Sequence, residues 1–281
     1  MNIKFVVNDY MLIWSLLFQA SISEAIHKVK QKLWVNYKTE YNGTYNDKDS
    51  ILKEGKNFIP NDDTIYNIVM ELKEYEKIKK NTEKYRLELM KLWDNKNSGI
   101  TKEFEKITKM NFNDYTIFVV DSGLDYFDTN KTTGTKNNAI TVGTSIDKKD
   151  PNKLILRIAN EILKKEIKDY RATGSNRFIA DAIIDMAINN ELATRVYKKS
   201  CYFVGNPSLA YIKRQIYPYW LMYLGVLKSE MVEYMCRDKV AFDVNNYTYD
   251  KSLRKMNLEE FIDYCIANKN KIVKEEQLEL I

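Results

Sequence analysis

Hydrophobic positions in the first part of the chain repeat at two different spacings. Ile3, Phe5 and Val7 alternate with polar or smaller residues and predict a short first strand. A helical region is predicted from about Asp9 to Tyr37, because its apolar residues lie three and four positions apart. These residues are Ile22, Ile26, Val29 and Leu33.

A polar segment and a long amphipathic helix come next. The segment from Asn42 to Asp63 is rich in Asn, Gly and Asp and predicts a long loop. The helix is predicted from Ile65 to Trp93, with a Lys/Glu-rich face that is typical of a solvated helix surface. Asn97-Ser98-Gly99 predicts its end, because Gly is common just after a helix, and a shorter helix is predicted from Thr101 to Met110.

Two segments rich in β-branched residues predict strands. They are Thr116 to Val120 and Ala139 to Thr144, and the loop between them is dense in Gly, Asp, Thr and Asn. Asp150 as the N-cap and Pro151 at the first helical position predict the start of a helix directly afterwards. The second strand comprises Ala139, Ile140, Thr141, Val142, Gly143 and Thr144.

The rest of the chain has helical spacing. A second helix is predicted from about Arg177 to Lys199, and a final one from Leu258 to Ala267, where Asn257 and Glu260 form a possible capping box. This order of elements predicts an α+β fold that is predominantly helical. We divide it into a mainly helical N-terminal region, residues 1–110, and a region with the small sheet and the C-terminal helices, residues 111–281.

Composition limits the classes of function. With 281 residues, 44% of them hydrophobic and 30% charged, the chain is long enough for one large core or two smaller ones. The net charge is +5, but 36 Lys accompany only eight Arg, and Arg is the residue preferred for recognition of phosphates and bases. A nucleic-acid partner is therefore disfavoured, although a basic helical nucleic-acid-associated or regulatory protein stays the alternative hypothesis.

The cysteines and the N-terminus indicate a cytoplasmic protein without membrane contact. Cys201, Cys236 and Cys265 are odd in number and widely spaced, so we expect buried thiols in a reducing compartment and no disulfide framework. The apolar run from Met11 to Phe18 is too short to span a bilayer, which needs about 20 residues.

One helical pentapeptide, Asn160-Glu161-Ile162-Leu163-Lys164, differs from the zinc motif H-E-x-x-H at both histidine positions. Asn190-Glu191 follows on the next predicted helix. In this order, two strands, a helix with Glu161 and a helix with Asn-Glu, residues 115–195 resemble the catalytic core of gluzincin-type zincin metallopeptidases. The resemblance implies that Glu161 matches the general base, Glu191 the third zinc ligand, and Asn160 and Lys164 the two histidines.

The departures from the motif exclude zinc chemistry of this kind. A catalytic zinc needs about three protein ligands, and imidazoles at positions i and i+4 of one helix supply two of them. The Lys164 ammonium has no free lone pair, Asn160 is a poor ligand, and His27 is the only histidine in the chain. We expect no catalytic residue, no metal and no cofactor, because a water without the metal is not deprotonated near neutral pH.

A binding function is the leading hypothesis from this resemblance. In the zincin family the strand beside the cleft pairs with an extended peptide, which implies that Ala139 to Thr144 binds an extended peptide or a partner protein. The resemblance also suggests that Lys164 forms an ion pair with Glu191 where zinc once lay. Without it, Asn160, Glu161 and Lys164 simply lie on a solvated helix face.

Two other groups of residues each have two interpretations. Asp181, Asp185 and Glu191 are a possible carboxylate site for magnesium or manganese, which would indicate an unrelated enzyme, but a solvated acidic stripe is the simpler interpretation. The aromatic residues between positions 211 and 223 either stack on bases or a peptide, or fill a core. They are Tyr211, Tyr217, Tyr219, Trp220 and Tyr223.

Overall fold

The computed structural model describes residues 1–18, 24–44, 63–121, 127–128, 138–143, 151–167, 175–198 and 207–273. Thr144 and Cys201 lie outside the described residues, as does most of the predicted loop from Asn42 to Asp63. The described chain is mostly helical with one small sheet, which confirms the predicted predominantly helical α+β class. Among the described residues, no helix combines the length and the hydropathy needed to cross a bilayer.

The helices and strands are named here in chain order. The first helices are α1 (Asp9–Phe18), α2 (Glu24–Asn36), α3 (Lys38–Thr44), α4 (Thr64–Met70) and α5 (Lys73–Thr108). The strands are β1 (Ile3–Val6), β2 (Tyr115–Val120), β3 (Phe127–Asp128) and β4 (Ala139–Gly143). The later helices are α6 (Pro151–Glu166), α7 (Ser175–Asp185), α8 (Ala193–Tyr197), α9 (Ala210–Leu224), α10 (Met231–Asp238), α11 (Leu258–Ala267) and α12 (Lys269–Ile272).

The chain packs as two compact units that interleave along the sequence. Unit 1 comprises residues 1–95 and 113–161, and unit 2 comprises residues 96–112 and 162–281. Helices α5 and α6 each contribute residues to both units. The sequence regions 1–110 and 111–281 are a different division of the chain, and that division stays a prediction.

The sheet belongs to unit 1 and has the strand order β1-β2-β4-β3. β1 pairs with β2, and β2 with β4, both in parallel, with Ile3 opposite Tyr115 and Thr116 opposite Ala139. β3 is antiparallel to β4 and pairs with it at two positions. β2 is central and nearly all its side chains are buried, which explains its continuous run of apolar and β-branched residues.

The core of unit 1 forms around α1, which is almost wholly apolar and buried. The stripe of α2 at three- and four-residue spacing, Ile26, Val29 and Leu33, packs against it as its periodicity predicts. Asp9 connects the first turn of α1 to α5, since its carboxylate accepts a hydrogen bond from the Tyr75 hydroxyl at 2.5 Å and one from the Lys79 ammonium at 2.9 Å.

Helix α5 differs from its sequence-based prediction. The sequence predicts an end at Asn97-Ser98-Gly99, but α5 continues through these residues to Thr108. Glycine in a helix costs only about 1 kcal/mol relative to alanine, and the buried side chains of Ile100, Phe104 and Ile107 offset this cost. The real interruption lies between α4 and α5, at Glu71 and Leu72, where the sequence has no Gly or Pro.

An aromatic core holds unit 2 together. Tyr217, Trp220 and Tyr223 of α9 are buried, and the rings of Tyr223 and Phe261 stack with centroids 4.7 Å apart. The predicted core role of this cluster is therefore confirmed for these three residues, whereas Tyr211 is exposed. The predicted capping box is also present at the start of α11, where Asn257 accepts from the backbone N–H of Glu260 and Glu260 from that of Asn257.

Candidate functional site

The residues at the degenerate motif positions fall into different surroundings. Asn160, Glu161 and Lys164 lie half-buried on α6, whereas Glu191 is only 1% exposed. Asn160 and Glu161 belong to unit 1, and Lys164 and Glu191 to unit 2. A buried glutamate needs compensating partners, so the surroundings of Glu191 determine its chemistry.

Two arginines bind the Glu191 carboxylate. Its Oε1 accepts a hydrogen bond from Nη2 of Arg237 at 2.5 Å, and its Oε2 accepts from Nη2 and Nε of Arg195 at 3.1 and 3.2 Å. Arg195 also reaches Glu103, with Nη1 3.3 Å from Oε2. The cations paired with Glu191 in the described chain are these guanidinium groups, so the suggested ion pair with Lys164 is wrong.

The network extends from Arg237 to α9. Arg237 donates to both oxygens of the buried Asp238, at 2.7 and 2.8 Å, and the Tyr217 hydroxyl donates to the same carboxylate at 2.6 Å. Burial disfavours the Arg237 charge, but the hydrogen bonds and charges of Asp238 and Glu191 outweigh it and raise the Arg237 pKa. Burial and the bond to Asp238 also raise the pKa of Tyr217, so the phenol stays protonated.

A second buried ion pair connects the helical stretch that contains Glu191 to α9. The Lys213 ammonium, in a residue only 1% exposed, pairs with Asp185, and the Asn189 side-chain amide donates to the same carboxylate. Asp181 pairs with Arg177 at 3.7 Å. The carboxylates considered for magnesium or manganese thus have different cationic partners. Within the described ranges, no group of three or more His, Cys, Asp or Glu is arranged to hold a metal ion.

A π-helical segment positions these polar groups. The segment from Met186 to Leu192 lies between α7 and α8 in the chain and is a π-helix, in which the backbone hydrogen bonds have i→i+5 spacing. Six of its seven residues are buried. π-helical turns are rare and occur frequently at functional sites. This segment was not predicted from the sequence. The available signal was the run of three consecutive polar residues, Asn189-Asn190-Glu191, within the predicted helix.

Strand β4, the predicted peptide-binding segment, has neighbours on both edges. β2 pairs with it along its whole length, and β3 pairs with Thr141 and Val142 on the other edge. Its side chains are buried from Ile140 to Gly143. An added peptide strand needs free backbone N–H and C=O groups, and the described geometry offers few of them at this strand.

A groove on the surface of unit 1 is the second candidate site. It has a volume of about 460 Å³ and is lined by His27, Lys30, Gln31 and Trp34 of α2 and by Tyr41 of α3. We call it the α2–α3 groove. The ring of Trp34 meets that of Tyr41 edge to face, with centroids 6.1 Å apart, and the Tyr41 hydroxyl donates to the Leu17 carbonyl at 3.1 Å.

The α2–α3 groove combines aromatic and positively charged groups. The Lys38 ammonium lies 4.9 Å from the ring centroid of Trp34, within range of a cation–π interaction. Burial lowers the pKa of Lys30. From the sequence, His27 can replace at most one missing imidazole of the zinc motif, and the groove was not predicted. Trp34 lies beside the buried stripe of α2, and a large aromatic residue outside such a stripe was the available signal.

The free cysteines also differ from expectation in part. Cys265 is buried, as predicted, but Cys236 on α10 is exposed. Its position is one turn from the exposed Val232, on the outer face of α10.

The chain matches no protein-family model, no curated protein and no solved structure. Similarity to a known protein therefore assigns it neither a family nor a function, and the gluzincin resemblance stays a prediction.

Proposed function

We propose that this chain is a non-catalytic, peptide- or protein-binding module, with the fold of a gluzincin-type peptidase that no longer holds zinc. The observation that supports it most is the Glu191 carboxylate, which accepts hydrogen bonds from Arg237 and Arg195 on its two oxygens. At the matching position of a gluzincin, this carboxylate would bind the metal.

The electrostatics around Glu191 argue against a divalent cation. Two guanidinium groups neutralise the carboxylate and would repel Zn²⁺ at the same place. The positions that correspond to the two histidines hold Asn160 and Lys164, so the imidazole ligands are missing as well. Without a metal to activate water, the hydrolysis of the family has no nucleophile, and binding is the function that such a fold would retain.

The finer features of the resemblance belong to the same proposal. We propose that β2 and β4 pack on α6 in the zincin manner, and that the protein acts in the cytoplasm, where the free thiols of Cys236 and Cys265 suit a reducing compartment. Strand β4 is the weaker candidate for the binding surface, because β3 already pairs with Thr141 and Val142. The exposed aromatic residues of unit 1 are the better candidate.

Metal analysis and a reconstituted complex test this proposal together. Elemental analysis of the untagged protein after incubation with zinc, manganese and magnesium should give far less than one metal ion per chain. A partner captured with the tagged chain, then purified by itself, should form a complex with the purified chain in gel filtration. Stoichiometric zinc that is lost in a Glu191→Gln variant shown to be folded by circular dichroism would overturn the proposal, since it would make Glu191 a ligand.

A further inference from the structure

The α2–α3 groove has the composition of a docking site for a negatively charged chain. We propose that it binds an extended acidic segment of a partner protein, with an apolar side chain of that segment against Trp34 and its carboxylates near Lys30 and Lys38. This inference rests on the proposed binding function and names the class of partner.

Trp34 is the first observation that supports a ligand. Its side chain is 50% exposed, whereas Trp14, Trp93 and Trp220 are all buried. Its neighbours Val35 and Tyr37 are exposed too, so the C-terminal end of α2 presents several large apolar side chains to solvent. Contiguous apolar surface with a polar rim is typical of protein-interaction sites, and tryptophan is enriched among the residues that dominate binding energy.

The charges beside Trp34 indicate the sign of the partner's charge. Helices α2 and α3 together have four lysines and two glutamates, and Glu74 of α5, which pairs with Lys32, reduces the surplus to one positive charge. Lys28 pairs with Glu24 and Lys32 with Glu74, both at the surface and away from the groove lining. Lys30 lines the groove and Lys38 lies over the Trp34 ring. Complementary charge at the rim of an interface mainly steers association and selects against partners of the wrong sign.

A peptide fits this surface better than a nucleic acid does. α2 and α3 contain no arginine, which is the residue preferred for phosphate and base recognition. The Lys38 ammonium already covers one face of Trp34 and the Tyr41 ring meets the indole edge to face, so at most one ring face is left for a stacked base. A peptide needs only carboxylates for the ammonium groups and an apolar side chain for the indole.

Defined probes test the proposal directly. They are a short synthetic peptide in which Glu and Asp flank one central Leu, the same peptide with Gln and Asn in place of the acids, and single-stranded oligo-dT. Binding to the full chain is followed by calorimetry and by tryptophan emission, since Trp34 is the exposed indole. We expect binding of the acidic peptide that weakens as salt rises, and at least about tenfold weaker binding of the amide peptide.

Matched variants localise the binding. Trp34→Ala removes the apolar anchor and Lys38→Glu reverses a rim charge, so each should weaken binding of the acidic peptide by about tenfold or more. Leu87→Ala and Lys84→Glu on α5 are the controls, as both side chains are exposed and lie outside the groove lining. They should leave affinity unchanged. Circular dichroism confirms folding, and Lys38→Gln replaces Lys38→Glu if the latter is misfolded.

The outcomes separate the inference from the proposed function. Equal loss of affinity in the groove variants and the control variants would overturn the groove as the site, and tighter binding of oligo-dT than of the acidic peptide would overturn the class of partner. If no probe binds while the reconstituted complex still forms, the inference falls and the proposed binding function stands. If metal analysis shows a Glu191-dependent zinc ion while the acidic peptide binds in the groove, the proposed function falls instead.

Discussion

Lys109 and Tyr223 are joined by two contacts in unit 2. The Lys109 ammonium donates to the Tyr223 carbonyl at 2.9 Å and lies 3.8 Å from the centroid of its ring. The Tyr223 hydroxyl in turn donates to the carbonyl of Ile107 at 2.7 Å, and Lys109 also donates to the Arg254 carbonyl at 2.9 Å. A single lysine just beyond the end of α5 thus caps carbonyls at the end of α9 and in the turn around Arg254.

The first prediction concerns the pH dependence of this lysine. Burial, together with the positive charge of Arg254, lowers the pKa of Lys109 to about 8, whereas its ordinary value is 10.5. Between these pH values the unfolded chain binds more protons than the folded one, so the contribution of Lys109 to stability rises with pH. The free energy of unfolding of the wild type, relative to Lys109→Met, should therefore increase from pH 7.5 to pH 10 by urea denaturation.

Other groups, such as the cysteines and tyrosines, titrate in both the wild type and Lys109→Met. Their contributions to the pH dependence therefore cancel in the difference between the two proteins. Lys102→Met, at an exposed position of α5, is the control and should show no such change with pH. A constant difference between wild type and Lys109→Met across the range would contradict the lowered pKa.

The second prediction compares two glycines of unit 2. Gly99 lies inside α5, and a β-carbon added there would enter open space with no neighbouring side chain within 4 Å, so Gly99→Ala should stabilise the protein by up to about 1 kcal/mol. Gly225 ends α9 with φ of +80°, in the left-handed region, so Gly225→Ala should destabilise it. Chemical denaturation measures both. Destabilisation by Gly99→Ala would indicate that the helix ends at Gly99, as the sequence alone predicts.

The third prediction concerns the buried charge of Glu191. Glu191→Gln removes the negative charge between Arg195 and Arg237, and breaking a buried ion pair costs about 3–5 kcal/mol. Urea denaturation should therefore show a large fall in the unfolding midpoint. Glu103→Gln removes the other carboxylate paired with Arg195, but that side chain is partly solvated and the loss should be about 1 kcal/mol or less. Similar losses in the two variants would show that Glu191 is not the centre of the network.

The fourth prediction uses the two described thiols. Cys236 is exposed, whereas Cys265 is buried, and burial raises the pKa of its thiol. Because the thiolate is the reactive form, iodoacetamide should label Cys236 in the native protein and Cys265 only after denaturation. Peptide mapping by mass spectrometry assigns the label to each residue. Native labelling of Cys265 at the rate of Cys236 would contradict the packing around α11.

Local signals in the sequence predicted much of the fold. Pro151 at the first turn of α6, the Asn257 and Glu260 capping box, and the β-branched run of β2 all act within a few residues. The uninterrupted course of α5 depends instead on tertiary burial of Phe104 and its neighbours, which no local rule at Gly99 reveals. The strand order likewise depends on pairing between residues more than 100 positions apart, as in Ile3 with Tyr115.

The candidate sites were predictable to different degrees. Arg195 lies four residues after Glu191 on one helical stretch, so their pairing was available from spacing alone. Arg237 lies 46 residues beyond Glu191 and contributes the shortest hydrogen bond to it, which only the packing of α10 reveals. The α2–α3 groove needs Tyr41 from a second helix beside Trp34, and therefore could not be assigned from the periodicity of α2.

The interleaving of the two units has a consequence for synthesis on the ribosome. The segment 96–112 belongs to unit 2, yet the rest of that unit begins at residue 162. The hydrogen bond from the Tyr223 hydroxyl to the Ile107 carbonyl cannot form until Tyr223, 116 residues later in the chain, has been synthesised. The bond from the Lys109 amine to the Arg254 carbonyl likewise requires Arg254. Closing such long loops slows folding, so the nascent chain exposes the apolar end of α5 until the C-terminal helices are made.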